Sequence, residues 1–249
     1  MDLQQISQSL NDFSFSVAIP SSGENVTGKF YTIRDEFKLA QIQTSGDTEH
    51  VLNGLYDFVK EKYYTMTPKQ FDELTLADIQ FLLIQLKIQS DEPVLHLNST
   101  CLKCNGKIPF DLDLTNIKIN NKEYRKTIKI ESDKLTKPLG ITLKRMAYID
   151  MRQMLSDTPA TPEMYLRNSA KMLYASVESI TLGDEIQQNL TPEEIENFVN
   201  DIPRKYSKEF QDFVKNQPEL IYDVPIICPN KECGHENSLD ISDFFILFF

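Results

Sequence analysis

Four cysteines form two close pairs in this chain, and thiol side chains can bind a metal ion or take part in redox reactions. Two residues separate Cys101 from Cys104, and four residues separate Cys228 from Cys233. Thiolates are favoured ligands for Zn²⁺, and four of them form the closed tetrahedral shell of a structural site, with no position left for a substrate or water. The spacing therefore predicts one structural zinc ion held by Cys101, Cys104, Cys228 and Cys233.

Small or conformationally restricted residues surround both pairs. Gly106 lies just after Cys104, Pro229 follows Cys228, and Gly234 follows Cys233. Such residues allow a tight turn in which backbone amides point towards the sulfurs and offset their negative charge. We refer to residues 101–106 as the first cysteine turn and to residues 228–235 as the second cysteine turn.

Two other uses of these residues compete with a four-cysteine site. Cys101 and Cys104 alone could form a redox dithiol, but such pairs usually begin a helix, and Gly106 and Pro109 disfavour a helix start here. His235 could replace a cysteine as a ligand, although its position beside Cys233 favours an outer or solvent-facing role.

Catalytic patterns are missing from the sequence. The segment "CGHEN" places His and Glu near cysteines, but a zinc deaminase needs H-x-E ahead of P-C-x-x-C. Phosphate-binding glycine loops, H-E-x-x-H and G-x-S-x-G do not occur, and the histidines, His50, His96 and His235, are scattered singly. The sequence predicts a protein that is not an enzyme.

Composition excludes several classes of protein. The 249 residues carry a formal net charge of −11, and 41% of them are hydrophobic. A folded acidic protein without a basic stripe is repelled by nucleic acids and anionic membranes. No apolar run approaches the ~20 residues of a membrane helix, and the N-terminus lacks the basic start and apolar segment of a secretory signal. We expect a cytosolic protein, in which reduced cysteines serve as metal ligands more often than as disulfides.

Helices and strands are predicted in mixed order around the cysteines. "SFSVAIP" and "GKFYTIR" predict paired N-terminal strands, and helices are predicted from Asp35 and Asp47. The segment "LTLADIQFLLIQLKIQS" predicts a helix that is apolar on most faces and therefore central. Alternating strands follow the first cysteine turn, and "YDVPIICP" predicts a strand that leads into the second.

Helices are predicted between these strands. "GITLKRMAYIDMRQML" should begin extended and end helical, and a helix from Pro162 should place Leu166, Ala170, Leu173, Val177 and Ile180 on one stripe. "LTPEEIENFVNDIP" should begin a helix with Thr191 as N-cap, Pro192 in the first turn and Glu194 completing a capping box. A further helix over "RKYSKEFQDFVKNQ" should stop before Pro218.

These elements predict an α+β fold with short N-terminal strands, a mainly helical body and a zinc-ribbon-like β region closed by two distant cysteine knuckles. The corresponding domains are an N-terminal α+β part over residues 1–98, a zinc-ribbon-like part over 99–135 and 221–249, and a mainly helical insertion over 136–220.

The C-terminal segment "DISDFFILFF" is unusually apolar. Its aromatic residues could pack on the protein's own core beside the cysteines, or they could contact a partner through Phe244, Phe245, Phe248 and Phe249.

The order of the segments resembles a known family, the baseplate hub assembly proteins of T-even-like tailed bacteriophages. The resemblance rests on "IPSSG", "KFYTIRDEFKLAQI" and "LTLADIQFLLIQLKIQSDEPV" leading into "CLKCNGKIPFDLDLTNI", with the second cysteine pair returning later. It implies a chaperone or assembly factor, made in the cytoplasm of the infected bacterial host, whose partners are hub or other tail proteins. The alternative is a zinc-ribbon nucleic-acid-binding or transcription accessory protein.

Overall fold

The computed structural model describes residues 2, 9–10, 12–44, 48–120, 123–131, 133–155, 170–222 and 224–237. Contacts divide the chain into two compact units: the first takes its described residues from 1–71, 76–120 and 219–249, and the second from 72–75 and 121–218. All four cysteines belong to the first unit, which is therefore built from separate stretches of sequence. Phe244, Phe245, Phe248 and Phe249 lie outside the described residues.

The N-terminal part of the chain forms a hairpin followed by helices. Its elements are β1 (Ser14–Ala18), β2 (Asn25–Lys29), α1 (Ile33–Thr44), α2 (Thr48–Lys62), α3 (Pro68–Glu73) and α4 (Leu76–Ser90). Leu82, Leu83 and Leu86 of α4 are fully buried, and Leu82 accepts a hydrogen bond from the Tyr63 hydroxyl through its carbonyl at 2.6 Å. The prediction of a central helix is confirmed.

The N-terminal hairpin is confirmed, but its second strand begins earlier than predicted. β2 starts at Asn25 because the reversal needs only a short turn, in which the Ile19 amide donates to the Glu24 carbonyl at 2.9 Å. Gly23 adopts a φ of +73°, a backbone conformation that is unfavourable for residues with a side chain. Residues 25–27, predicted as loop, are therefore free to pair with β1.

Two hairpins carry the cysteine turns. The first consists of β3 (Val94–Thr100) and β4 (Lys107–Asp113), and the pairing of Thr100 with Lys107 places the first cysteine turn at its tip. After a 3₁₀ turn and β5 (Ile117–Ile119), the chain leaves this unit and returns as β10 (Leu220–Tyr222), which pairs antiparallel with β5. The second hairpin, β11 (Ile226–Ile227) and β12 (Glu236–Asn237), carries the second cysteine turn at its tip.

The second unit contains a four-stranded antiparallel sheet and helices. The strands, in the order β6-β7-β8-β9, are β6 (Arg125–Ile130), β7 (Leu139–Lys144), β8 (Val177–Leu182) and β9 (Glu185–Gln187). The helices with fully described backbones are α5 (Tyr148–Leu155), α6 (Pro192–Asn200) and α7 (Ser207–Lys215). Sheet and helix residues share one core, which includes Ile128, Ile141, Leu143, Val177, Ile180, Ile195, Phe210 and Phe213.

One predicted helix is wrong at its C-terminal end. Residues 170–175 are helical, but Val177 and Ile180 lie in β8, where Ile180 is paired with Ile141. β-branched residues favour a pleated surface, and the turn at Gly183 (φ +63°) returns the chain as β9. The predicted apolar stripe is therefore divided: Ala170 and Leu173 lie in the helix, whereas Val177 and Ile180 lie in a strand. Leu166 lies outside the described residues.

The predicted start of α6 is confirmed in detail. The Thr191 hydroxyl accepts from the Glu194 amide at 3.3 Å, and the Glu194 carboxylate accepts from the Thr191 amide at 2.8 Å. Pro192 occupies the first turn of the helix. The mixture of helices and strands with short N-terminal strands is likewise confirmed, whereas the three-part division of the chain stays a prediction.

Candidate metal centre

The sulfurs of the four cysteines converge at one point of the first unit. All four lie within 4.8 Å of one another. Cys101 Sγ is 3.8 Å from Cys233 Sγ, and Cys104 Sγ is 3.7 Å from Cys228 Sγ, so each close pair joins the two cysteine turns. None of the four is in a disulfide. The spacing of the sequence thus predicted a grouping that the fold brings together across 124 residues.

The distances between the sulfurs fit a four-thiolate metal shell. A tetrahedron with Zn–S bonds of about 2.3 Å has edges of about 3.8 Å, whereas a disulfide would bring two sulfurs to about 2.05 Å. The observed separations of 3.7 and 3.8 Å correspond to the tetrahedral edge. The four side chains could therefore hold one Zn²⁺ ion.

The two turns share one backbone frame. In the first, the Cys101 amide donates to the Gly106 carbonyl at 2.9 Å. In the second, the Cys228 amide donates to the His235 carbonyl, also at 2.9 Å. In both cases the first cysteine of the turn is bonded to the residue two places after the second cysteine. This bond closes each turn.

A residue in the left-handed conformation follows the second cysteine of each turn. Asn105 has a φ of +57° and Gly234 a φ of +52°. Gly106, which the sequence suggested as the permissive residue, serves another purpose: an added Cβ there would lie 3.3 Å from the sulfur of Cys104. Asn105 bears the positive φ in the first turn because Asn tolerates this conformation better than most residues.

Backbone amides point at the sulfurs, as the sequence predicted. Burial opposes ionisation of Cys101, but hydrogen bonds from the amides of Cys104 and Lys103 lower the pKa of this thiol to about 6. The amide of Asn230 donates to Cys228, yet burial and the neighbouring cysteines raise the pKa of that thiol to about 12. Thiolates packed this closely repel one another, and a divalent cation among them would remove that repulsion.

Apolar side chains enclose part of the cluster. Cys101 and Cys228 are buried with Ile108 and Ile226, and Phe110 packs against this group. Cys233 is half-buried and Cys104 is exposed. Such a setting matches a site whose ligands are held by the fold rather than one that opens to a substrate.

Histidine does not contribute a ring nitrogen to the sulfur cluster within the described part of the chain. His235 takes part through its backbone, because its carbonyl closes the second turn and its amide donates to Cys233. His96 lies elsewhere on β3, where its ring contacts the Asp111 carboxylate at 2.6 Å. A redox dithiol is expected at the start of a helix. The first cysteine turn lies instead at the tip of a hairpin.

Asn237 is a residue of the site that the sequence did not reveal. Its side chain is buried and reaches the backbone of both turns as well as the sulfur of Cys101. A single asparagine that follows the second cysteine turn has no spacing or periodicity that would distinguish it from a surface residue.

Comparisons with known proteins identify the family of the chain. Neither curated proteins nor solved structures give a significant match. Among the described residues, no helix is both long enough and apolar enough to cross a membrane. A family described as T4 bacteriophage base plate protein matches residues 11–248, which is nearly the whole chain and includes both cysteine turns. The chain therefore belongs to the T4 bacteriophage base plate protein family.

Proposed function

We propose that the protein is a non-catalytic phage morphogenesis factor that assists assembly of the tail baseplate hub, and that a structural zinc ion closes its first unit. The observation that carries the proposal is the convergence of four sulfurs in a chain of the base plate family. Assembly would take place in the cytoplasm of the infected bacterial host.

The zinc ion would act as a clamp in a zinc-ribbon-like site. Cys101, Cys104, Cys228 and Cys233 fill the four positions of a tetrahedral shell, so no position remains for chemistry on a substrate. The ion would join hairpin tips that are more than a hundred residues apart in sequence. Because such a site does not exist in the unfolded chain, the free energy of metal binding becomes free energy of folding.

Exposed apolar residues on α1 support binding to hub or other tail proteins. Ile33 and Phe37 lie one helical turn apart, with 75% and 68% of their surface exposed. Residues at this spacing share one face of a helix, and apolar side chains on an exposed face are typical of protein interfaces. We refer to Ile33 and Phe37 as the α1 patch. Partner contact through the C-terminal Phe244, Phe245, Phe248 and Phe249 is a further part of the proposal.

A nucleic-acid-binding role is less well supported. The net charge of −11 opposes binding to a polyanion, and the base plate family gives no reason to invoke it.

The zinc clamp is tested by elemental analysis of the purified protein, combined with thiol titration before and after chelation. We expect about one zinc per chain and four thiols that react only after the metal is removed. A metal-free protein with four freely reactive thiols would refute the clamp and favour the redox alternative.

The assembly role is tested by complementation. A phage that lacks the gene would be supplied with the protein in trans, and completed hubs would be counted by sedimentation and electron microscopy. We expect the wild type to restore hubs and the Ile33→Ser, Phe37→Ser double variant to fail. Ile186→Ser, which changes an exposed apolar residue of the second unit, is the matched control and should restore them. Full complementation by the double variant would exclude the α1 patch as the contact surface.

A further inference from the structure

Asn237 connects the two cysteine turns through its side-chain amide. Its Oδ1 accepts a hydrogen bond from the backbone amide of Leu102, within the first turn, at 2.9 Å. Its Nδ2 lies 3.0 Å from the carbonyl oxygen of His235, within the second turn, and 3.3 Å from that of Ile226. The same nitrogen is 3.8 Å from Cys101 Sγ.

The orientation of this amide is fixed by its partners. The Leu102 amide can only donate, whereas the carbonyls of His235 and Ile226 can only accept. Exchanging the oxygen and nitrogen of Asn237 would set donor against donor on one side and acceptor against acceptor on the other. Only 4% of Asn237 is exposed, so its side chain meets these protein partners rather than bulk water. The two hydrogens of Nδ2 therefore face three acceptors, the carbonyls of His235 and Ile226 and the sulfur of Cys101, so one hydrogen is shared between the sulfur and a carbonyl.

We propose that Asn237 is a positioning residue of the metal centre, which fixes the first cysteine turn on the second and donates an N–H···S hydrogen bond to Cys101. This inference rests on the proposed metal site. Groups that hydrogen-bond to metal ligands orient them and tune their strength as donors, and their loss typically weakens metal binding by about 10–100-fold.

Asparagine is the side chain that meets these requirements at this position. Aspartate would keep the acceptor for Leu102 but would place a second carboxylate oxygen against two carbonyls and a sulfur, all of which are acceptors. Alanine would remove the acceptor of the partly buried bond from the Leu102 amide, together with the N–H groups that face His235, Ile226 and Cys101.

Cobalt(II) titration of the purified full-length protein tests the inference, because thiolate-to-cobalt charge-transfer absorption reports directly on the sulfurs. The variants are Asn237→Ala and the isosteric Asn237→Asp. We expect both to bind Co²⁺ about 10–100-fold more weakly than the wild type. At saturating Co²⁺ we also expect the charge-transfer band to shift to lower energy, because a sulfur without its N–H donor holds its electrons less tightly.

Asn120→Ala is the matched control. Asn120 also joins two distant segments, since its side chain accepts a hydrogen bond from the Glu219 amide at 3.0 Å. Among the described residues, it forms no hydrogen bond with a cysteine. This variant should keep the wild-type affinity and the wild-type band.

The outcomes separate the two proposals. A wild-type protein that gives no tetrahedral thiolate–cobalt spectrum would refute the metal site itself. A wild type that binds Co²⁺, with Asn237 variants of equal affinity and an unchanged band, would overturn the role of Asn237 alone. A loss of affinity with an unmoved band in both variants would also overturn it, since a purely structural defect would produce that result.

Discussion

The two cysteine turns share a backbone frame but rest on hairpins of very different length. The first stands on β3 and β4, which pair over seven residues each, whereas the second stands on β11 and β12, which pair over two. Two-residue strands provide few ladder hydrogen bonds of their own, and even longer isolated hairpins are only marginally stable. The first turn can be positioned by its own hairpin, while the second depends on its contacts with the first turn: the sulfurs opposite and the hydrogen bond that Asn237 accepts from Leu102.

Loss of the metal should give the largest difference between the turns. In a chelated protein or in Cys228→Ser, we expect hydrogen exchange to rise steeply over residues 224–237 and to change little in β3 and β4. The melting temperature of the first unit should fall by at least about 10 °C, since structural zinc contributes several kcal/mol or more.

His235→Ala is the control for this experiment, because only its backbone takes part in the site. It should retain the metal and its protection from exchange. Equal loss of protection in both hairpins after chelation would contradict the difference in support inferred from their lengths.

The residue after each second cysteine offers the next test. Gly234 has a φ of +52° and open space around it, so Gly234→Ala introduces backbone strain without a clash. We expect a loss of about 1–2 kcal/mol, measured by denaturant unfolding of the metal-loaded protein. Asn105→Gly keeps the left-handed conformation in the first turn and should cost less than about 0.5 kcal/mol. A larger loss of unfolding free energy in Asn105→Gly than in Gly234→Ala would contradict this expectation.

A change in the second unit separates stability from metal binding. Thr191→Ala removes the side chain that caps α6, and we expect it to destabilise the protein by about 1 kcal/mol. Its affinity for Co²⁺ should equal that of the wild type, because Thr191 belongs to the other unit. Weaker metal binding in this variant would mean that the affinity for Co²⁺ follows overall stability, and a loss of affinity in the Asn237 variants would then not be specific to the site.

The smallest effect should come from the hairpin of the first turn. A hydrogen bond that the His96 ring donates to the Asp111 carboxylate, together with the charge of that carboxylate, raises the pKa of His96 above the ordinary value. This contact therefore contributes stability below the unfolded-state pKa of about 6.5, and the contribution is lost as the pH rises through the folded-state pKa. An NMR titration should show a lower His96 pKa in Asp111→Asn than in the wild type. Both side chains are exposed, so the melting temperature should hardly respond.

Spacing and local chemistry predicted much of the site and several element boundaries. The four cysteines could be grouped because thiolate ligands recur at short intervals in pairs, and the start of α6 could be placed because Thr191 and Glu194 satisfy each other within one turn. The spacing within each cysteine pair and the capping box both lie within a few residues of sequence, where local geometry decides the outcome, whereas the meeting of the two pairs followed from the preference of Zn²⁺ for four ligands.

Other features depend on partners that lie far away in the sequence. Val177 and Ile180 fit a helical stripe as well as a strand face, and pairing with β7 decides between the two. Asn237 could not be singled out because the amide of Leu102, which its side chain meets, is 135 residues away. The periodicity of apolar residues cannot predict hydrogen bonds between such distant positions.

The discontinuity of the first unit has a consequence for the order of events on the ribosome. About 130 residues separate Cys104 from Cys233, and at 5–20 residues per second their synthesis takes roughly 6 to 26 s. During that interval the first cysteine turn waits without its partner ligands, while residues 121–218, which supply most of the second unit, emerge as one uninterrupted stretch. We expect the second unit to fold first and the sulfurs to meet last, so completion of the metal centre would mark the end of folding of the whole chain.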